Sequence, residues 1–489
     1  MPKPSNILLF LSDNHARSMT GVYGHPLAAT PNIDRIARSG TVFRNAYSAS
    51  PLCCPARASL ATGLFPHQTG YWDNTFVYDG RVPSWHHLLR DQGHEVTSIG
   101  KLHYRSSKDD NGFSEEIIPM HMVEGGGALF GLMRATDEGE RRRAAARKSY
   151  EACAEGEADY VVYDREITRH ARHWIREHAL HGSKPWVLLV SYSSPHPPFV
   201  VPKKYRDLYS AETVPLPVQF RESERPRHPS ISHIRTLHSY DDLGTEGFVK
   251  EVVASYLAMI TFMDEQIGEV LSEIETTGLL PSTRVIYTSD HGEAAGAHGL
   301  FGKSVLYEHS IGVPLVMCGP EIRAGTTISQ LTSHVDLFPT LVESAGAQPD
   351  TDSPRLGASL WPAIEGREDA SRCAFAEFHG HGSKSASYML RQNDMKLVYH
   401  VGERAQLFDL ERDPQEMADL NEERSDERGA SLENRLREIL DPEAVDGQAK
   451  SDQRRRLAEL GGVEAVLRRG TFGFNPIPGR AAKLDGFQP

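Results

Sequence analysis

Four short runs in this chain are strongly apolar and stop abruptly at polar residues. They are Asn6-Ile7-Leu8-Leu9-Phe10-Leu11 before Ser12-Asp13-Asn14-His15, His94-Glu95-Val96-Thr97-Ser98-Ile99 before Gly100-Lys101-Leu102-His103, Trp186-Val187-Leu188-Leu189-Val190 before Ser193-Ser194-Pro195-His196, and Arg284-Val285-Ile286-Tyr287-Thr288 before Ser289-Asp290-His291-Gly292-Glu293. Short runs without polar alternation are what strands covered on both faces of a parallel sheet require. Ligands of open α/β sheets bind beyond the carboxyl ends of the strands, so four polar strand ends are expected to converge on one site. From Phe248 to Ile274, Val249, Val252, Val253, Tyr256, Met259, Ile260, Met263, Ile267 and Val270 recur at three- and four-residue intervals. That spacing predicts an amphipathic crossover helix whose Met and aromatic stripe is core packing. Strand, helix and strand in alternation predict an α/β fold, a large, mostly parallel mixed sheet sandwiched by helices.

Past Leu356 to Glu365 the pattern changes to the short segments Ser387-Tyr388-Met389-Leu390, Lys396-Leu397-Val398-Tyr399 and Leu407-Phe408-Asp409-Leu410, which suit a small C-terminal antiparallel sheet. A charged helical stretch and a Gly/Pro-rich tail, Gly470-Thr471-Phe472-Gly473-Phe474-Asn475-Pro476, follow. The tail is too poor in apolar residues for a core of its own and is expected to dock on a neighbouring subunit of a homo-oligomer. The expected division is 1–365 for a catalytic α/β domain, 366–430 for a small α+β subdomain and 431–489 for the helical tail.

Of the 489 residues, 39% are hydrophobic and 24% charged, the balance of a soluble globular protein. A formal charge of -13 gives no general attraction to nucleic acid or to an anionic membrane, so any anion must be captured locally. The basic runs Arg141-Arg142-Arg143 and Arg454-Arg455-Arg456 lie among Glu, Ala and Leu and read as solvated helix faces. The first apolar segment is too short for a signal-peptide core or a membrane span, and five cysteines are too few and odd in number for a disulfide framework. These features predict a cytoplasmic protein with reduced thiols.

The chemistry concentrates at Cys53-Cys54-Pro55-Ala56-Arg57, flanked by Ser50-Pro51-Leu52 and by Ala58-Ser59-Leu60-Ala61-Thr62-Gly63. Two adjacent cysteines alone would read as small buried apolar residues. Here a candidate nucleophile stands beside a fixed positive charge whose rigid fork suits sulfate or phosphate oxygens. Ester cleavage at such a centre needs a nucleophile, neutralisation of the non-bridging oxygens and a proton for the leaving group. Asp13, Asp290 and His291, with Asn14 as a fourth, supply mostly oxygen ligands for a hard divalent cation such as calcium, magnesium or manganese. Singly, each Asp could cap a helix and His291 could be structural. Lys101, His103, His196 and Lys303 supply further donors and possible general acids. His379-Gly380-His381 reads as a loop or pocket lining rather than a metal pair, and Gly125-Gly126-Gly127 lacks the Lys-Ser/Thr of a phosphate-binding loop.

The Cys53 to Gly63 segment resembles the signature of the type I, formylglycine-dependent sulfatases of the alkaline phosphatase superfamily: Cys-x-Pro-Ser/Ala-Arg, a hydrophobic stretch and Thr-Gly. The resemblance extends to Asp13, Gly100-Lys101-Leu102-His103, Ser194-Pro195-His196, Ser289-Asp290-His291-Gly292, Lys303, Val313-Pro314-Leu315 and Val335-Asp336-Leu337-Phe338-Pro339-Thr340. Ser50-Pro51-Leu52-Cys53, Asp73-Asn74, Pro83-Ser84-Trp85-His86-His87-Leu88-Leu89-Arg90 and the pair Asp290-His291 place it nearest the choline-sulfatase and phosphonate monoester hydrolase branch. The resemblance implies an alkaline phosphatase-like fold, a sulfuric ester hydrolase and one divalent metal on Asp13, Asn14, Cys53, Asp290 and His291. It also implies that a formylglycine-generating enzyme oxidises Cys53. The hydrated aldehyde would attack sulfur, and the remaining hydroxyl would then expel sulfate. Arg57 and Lys101 would hold formylglycine and sulfate, His103 would assist the diol, and His196 and Lys303 would contact sulfate and the departing oxygen. Asn74, Asn14 and Tyr104 would bind substrate.

Asn14 replaces an acidic residue common in the family, Gly312 stands where Arg often follows Tyr307-Glu308, and the region after Asn111-Gly112-Phe113 has no aromatic-rich stretch to cage a quaternary ammonium. The expected substrate is a small sulfate ester. The alternative is a phosphonate monoester or phosphodiester on the same site, and a third reading is a non-catalytic binding protein that kept the fold.

Overall fold

The computed structural model describes residues 2–482 apart from 128, 135, 137–148, 178–183, 349–355, 381, 423–425, 471 and 473. The run Arg141 to Arg143 and His381 therefore lie outside the described residues. The main sheet has eight strands: β1 (Asn6–Ser12), β2 (Gly40–Phe43), β3 (Val96–Lys101), β4 (Glu115–Met120), β5 (Val187–Ser191), β6 (Thr283–Ser289), β7 (Leu315–Cys318) and β8 (Thr326–Ile328). Their order across the sheet is β8-β2-β7-β6-β1-β5-β3-β4. Only β7 runs antiparallel to its neighbours.

The four strands expected from sequence are the contiguous centre of this sheet, β6-β1-β5-β3, all parallel, with Ser12 opposite Ser289 and Ser191 opposite both Leu11 and Gly100. Their carboxyl ends consequently lie side by side. Alternate residues face the two helical layers, as a pleated strand requires. Ile7, Leu9, Leu11, Val187, Leu189 and Ile286 pack with Ala58, Leu60 and Leu341, whereas Leu8, Phe10, Leu188, Val190, Val285 and Tyr287 pack with Ile167, Trp174, Met263 and Ile267. The first layer holds helices α1 (Cys53–Thr62) and α4 (Leu337–Ala345), and the second α2 (Asp159–Glu177) and α3 (Glu246–Thr276). Helix α3 is the predicted crossover, extended by two residues at each end.

Strands β9 (Cys373–Phe378), β10 (Ser387–Gln392), β11 (Met395–His400) and β12 (Gln406–Asp409) form the antiparallel C-terminal sheet. Helices α5 (Glu427–Ile439), α6 (Pro442–Glu459) and α7 (Val463–Arg469) follow. Leu457 and Val466 close a small core with Leu129, Leu132 and Met133 of the same chain. The Asn475 side chain accepts from the Val123 N–H and donates to the His121 carbonyl, while Tyr160 Oη donates to the Asn475 carbonyl. Asn475, within the tail, thus packs against its own chain. Among the described residues no helix is long and apolar enough to cross a membrane.

Candidate active site

Helix α1 begins at Cys53, and all ten of its residues are buried. A spacing of four puts Cys53 and Arg57 on one helical face, and the helix N-terminus adds partial positive charge beside Cys53. Gly63 ends the helix with φ +69°, a left-handed conformation that costs glycine little and explains the Thr-Gly of the motif. The Cys54 N–H donates to Asn74 Oδ1 at 3.1 Å, so Asn74 sits against the start of this helix.

Around Cys53 Sγ stand Lys303 Nζ at 3.0 Å, His291 Nε2 at 3.2 Å and Asp13 Oδ1 at 3.9 Å. Ligand atoms of Asp13, Cys53, Asp290 and His291 all lie within 4.8 Å of one another, and all four residues are buried. His291 Nδ1 donates to the Gly292 carbonyl at 3.0 Å, which leaves Nε2 as a lone-pair donor toward the group. Asn14 joins them through its N–H, which donates to Asp290 Oδ1 at 3.1 Å, and its Oδ1 is buried without a hydrogen-bond partner. Two carboxylates, an imidazole nitrogen and an unpartnered amide oxygen fit a hard divalent cation.

Arg57 fixes the base of the site. Its Nε donates to Asp290 Oδ2 at 2.8 Å, Nη1 to Ser191 Oγ at 3.0 Å and to the Lys101 carbonyl at 2.6 Å, and Nη2 reaches Asp13 Oδ2 at 3.3 Å. Lys101 Nζ lies 2.9 Å from Asp13 Oδ2 and 5.3 Å from the centre of the Tyr160 ring. Its approach depends on Gly100, whose φ is +103° and where a Cβ would fall 2.3 Å from the Ser191 carbonyl. Only glycine fits there against β5, at the point where the register of β3 with its other neighbour, β4, shifts between Ile99 and Lys101.

Burial alone would raise the Asp13 carboxyl, but the charges of Lys101, Lys303 and Arg57 outweigh it and hold it well below the usual carboxylate range. Burial and the neighbouring Asp13 charge push Asp290 up. Burial also lowers His103, His196 and His291, reinforced by Lys101 at His103 and by Lys303 and Lys101 at His196, so all three rest as neutral imidazoles. Lys303 moves the other way: burial opposes its charge, yet Cys53, Asp13 and Asp290 raise it. Burial, then the Cys53 charge, pushes Cys54 well up and leaves it an inert thiol.

Both ring nitrogens of His103 are buried and unpartnered. His196 Nδ1 donates to the Pro197 carbonyl at 2.7 Å, on a turn whose Ser193 and Ser194 N–H groups are tied to the Asp164 carboxylate at 2.8 Å each. Tyr104 is placed differently, its ring packed among Tyr78, His86 and Phe113 with no hydrogen bond to the Cys53 group among the described residues. His379 is an interior residue whose Nε2 lies 2.7 Å from Glu377 Oε2. Ser191, Tyr160 and Glu293 belong to the site's surroundings and had no assigned role from sequence. Glu293 was visible in the Asp290-His291-Gly292-Glu293 strand end, whereas Ser191 and Tyr160 carry no sequence signal.

The Sulfatase family model matches residues 5–347, and the model of the C-terminal region of N-sulphoglucosamine sulphohydrolase matches residues 296–442. Arylsulfatase K of Xenopus laevis is 30% identical over 465 residues, covering 89% of this chain and 82% of the relative. Choline-sulfatase of Rhizobium meliloti (strain 1021) is 30% identical over 469 residues, covering 90% and 87%. The solved phosphonate monoester hydrolase of Agrobacterium radiobacter superposes with a TM-score of 0.70 at 22% identity, covering 91% of this chain and 96% of that one, and so has the same fold. With the Cys53 centre at the carboxyl ends of its parallel strands, this chain belongs to the sulfatase family and is a sulfuric ester hydrolase.

Proposed function

We propose that the protein hydrolyses a small sulfate ester with a formylglycine made from Cys53. The observation that carries this reading is the setting of Cys53 Sγ, 3.0 Å from Lys303 Nζ and 3.2 Å from His291 Nε2, one helical turn before a buried arginine. Cys53 is only 2% exposed, so a formylglycine-generating enzyme must act on the Cys53 to Arg57 segment before the chain closes over it. Asp13, Asn14, Asp290 and His291, with the oxygen that replaces the Cys53 sulfur, would hold a divalent ion, which would supply Lewis-acid polarisation of substrate and nucleophile. Calcium, magnesium and manganese all suit this donor set.

The remaining chemistry falls to the side chains. A hydroxyl of the hydrated Cys53 aldehyde attacks sulfur and gives its proton to neutral His103, while the bond from sulfur to the ester oxygen breaks. Arg57, Lys101 and Lys303 neutralise the sulfate oxygens. The departing alkoxide takes a proton from Lys303, and His196 orients the leaving group. The second hydroxyl gives its proton to the now neutral Lys303 amine as the carbon–oxygen bond to sulfate breaks, which regenerates the aldehyde; water then rehydrates it and His103 releases its proton to solvent. Asn74 borders the sulfate position from the start of α1.

The test is the relative turnover of an aryl sulfate and an aryl phosphonate monoester by matured protein. The sulfate ester should be hydrolysed faster; a strong phosphonate preference would move the assignment to the phosphonate monoester hydrolase branch.

A further inference from the structure

Glu293 is fully buried, and its carboxylate accepts four hydrogen bonds from neutral donors. Oε1 takes the N–H groups of Ala295, at 2.9 Å, and Gly302, whereas Oε2 takes Asn14 Nδ2 at 2.5 Å and Tyr150 Oη at 3.1 Å. Among the described residues no Lys, Arg or His lies within ion-pair distance of it.

A carboxylate can only accept, so Asn14 must turn its amino group to Glu293. Its Oδ1 then faces away, is buried and has no partner, although the Asn14 N–H is bound to Asp290 Oδ1 at 3.1 Å. A buried acceptor left without a partner is destabilising, and a cation would offset that cost. We propose that Glu293 is a positioning residue that locks the Asn14 amide with Oδ1 toward the Asp13, Asp290 and His291 group, and supplies from behind the negative charge that an aspartate at position 14 would bring directly. The inference rests on the reading that this group holds a divalent cation.

The experiment titrates metal-stripped full-length protein with calcium, magnesium and manganese by calorimetry, with thermal unfolding of each variant alongside. In Glu293→Gln the fixed N–H groups of Ala295 and Gly302 require the new carbonyl oxygen, so the new amino group meets Asn14. The Asn14 amide should then flip and present its own amino group to the cation, weakening affinity by about 10- to 100-fold. Asn14→Asp alone sets two carboxylates against each other and should destabilise the fold. Combined, Asn14→Asp and Glu293→Gln exchange donor and acceptor at constant charge and should restore both folding and affinity. Unchanged affinity in Glu293→Gln, or a double variant that regains neither, overturns the inference while the metal reading stands. No binding by the parent protein overturns both.

Discussion

Two buried charge clusters in this molecule look alike in composition and differ in what they leave unsatisfied. At the junction with the C-terminal sheet, Lys396 Nζ lies 2.9 Å from Glu308 Oε1 and 2.7 Å from Glu416 Oε1, Arg17 also pairs with Glu308, and Tyr47 Oη donates to it at 3.0 Å. Every charge there has an opposite partner in direct contact, and no nucleophile is present. The Cys53 cluster is equally buried, but His103 and the Asn14 carbonyl oxygen keep bonding capacity that the protein does not use. Buried charge therefore does not distinguish an active site from a clamp; unspent donors and acceptors beside a nucleophile do.

The sharpest way to break this contrast is to remove a residue from each cluster. Cys53→Ala should lower turnover by at least about four orders of magnitude, since a nucleophile has no substitute, with little change in thermal stability. Undiminished activity would revive a role without covalent chemistry. Lys396→Met should do the reverse: stability to urea falls by about 3–5 kcal/mol as two buried carboxylates lose their cation, while kcat at temperatures well below the melting point changes little. Arg57→Lys straddles the two behaviours. It keeps the charge but loses the fork that ties Asp13, Asp290 and Ser191 together, so kcat should fall by about 10²–10³ along with some stability.

A smaller effect separates the regions by pH. Burial, with the nearby His228, lowers His400 in the C-terminal sheet to about 3. Its folded value lies below the unfolded one, so this stability is fully present above about pH 6.5 and is lost as pH falls toward 3. Near pH 5 the loss is about 2 kcal/mol, and His400→Gln should flatten that part of the urea-measured stability profile without shifting the pH dependence of kcat.

The four central strands were legible because a strand covered on both faces must be apolar throughout, and their ends moved by only one or two residues. The Cys53 motif was legible because its spacing writes a helical face and its Thr-Gly writes a helix end. Strand β9 was not anticipated. Its Glu377 breaks the apolar pattern, and of the two partners that make burial of that carboxylate tolerable, His379 is a neighbour in sequence whereas His67 is supplied by a short helix some three hundred residues earlier. The destination of the tail was also hidden, because Asn475 finds its partners at His121, Val123 and Tyr160 only once the main sheet has formed. Ser191 and Tyr160 join the site through strand adjacency and helix packing, which local sequence does not encode.

The central claim is that Cys53 is the precursor of the nucleophile, and the mass of the peptide that contains it, from protein produced alongside a formylglycine-generating enzyme, tests this most directly. The account predicts the mass loss of thiol-to-aldehyde oxidation, rising in step with sulfate ester turnover across preparations. A full-mass thiol peptide from fully active protein would contradict it.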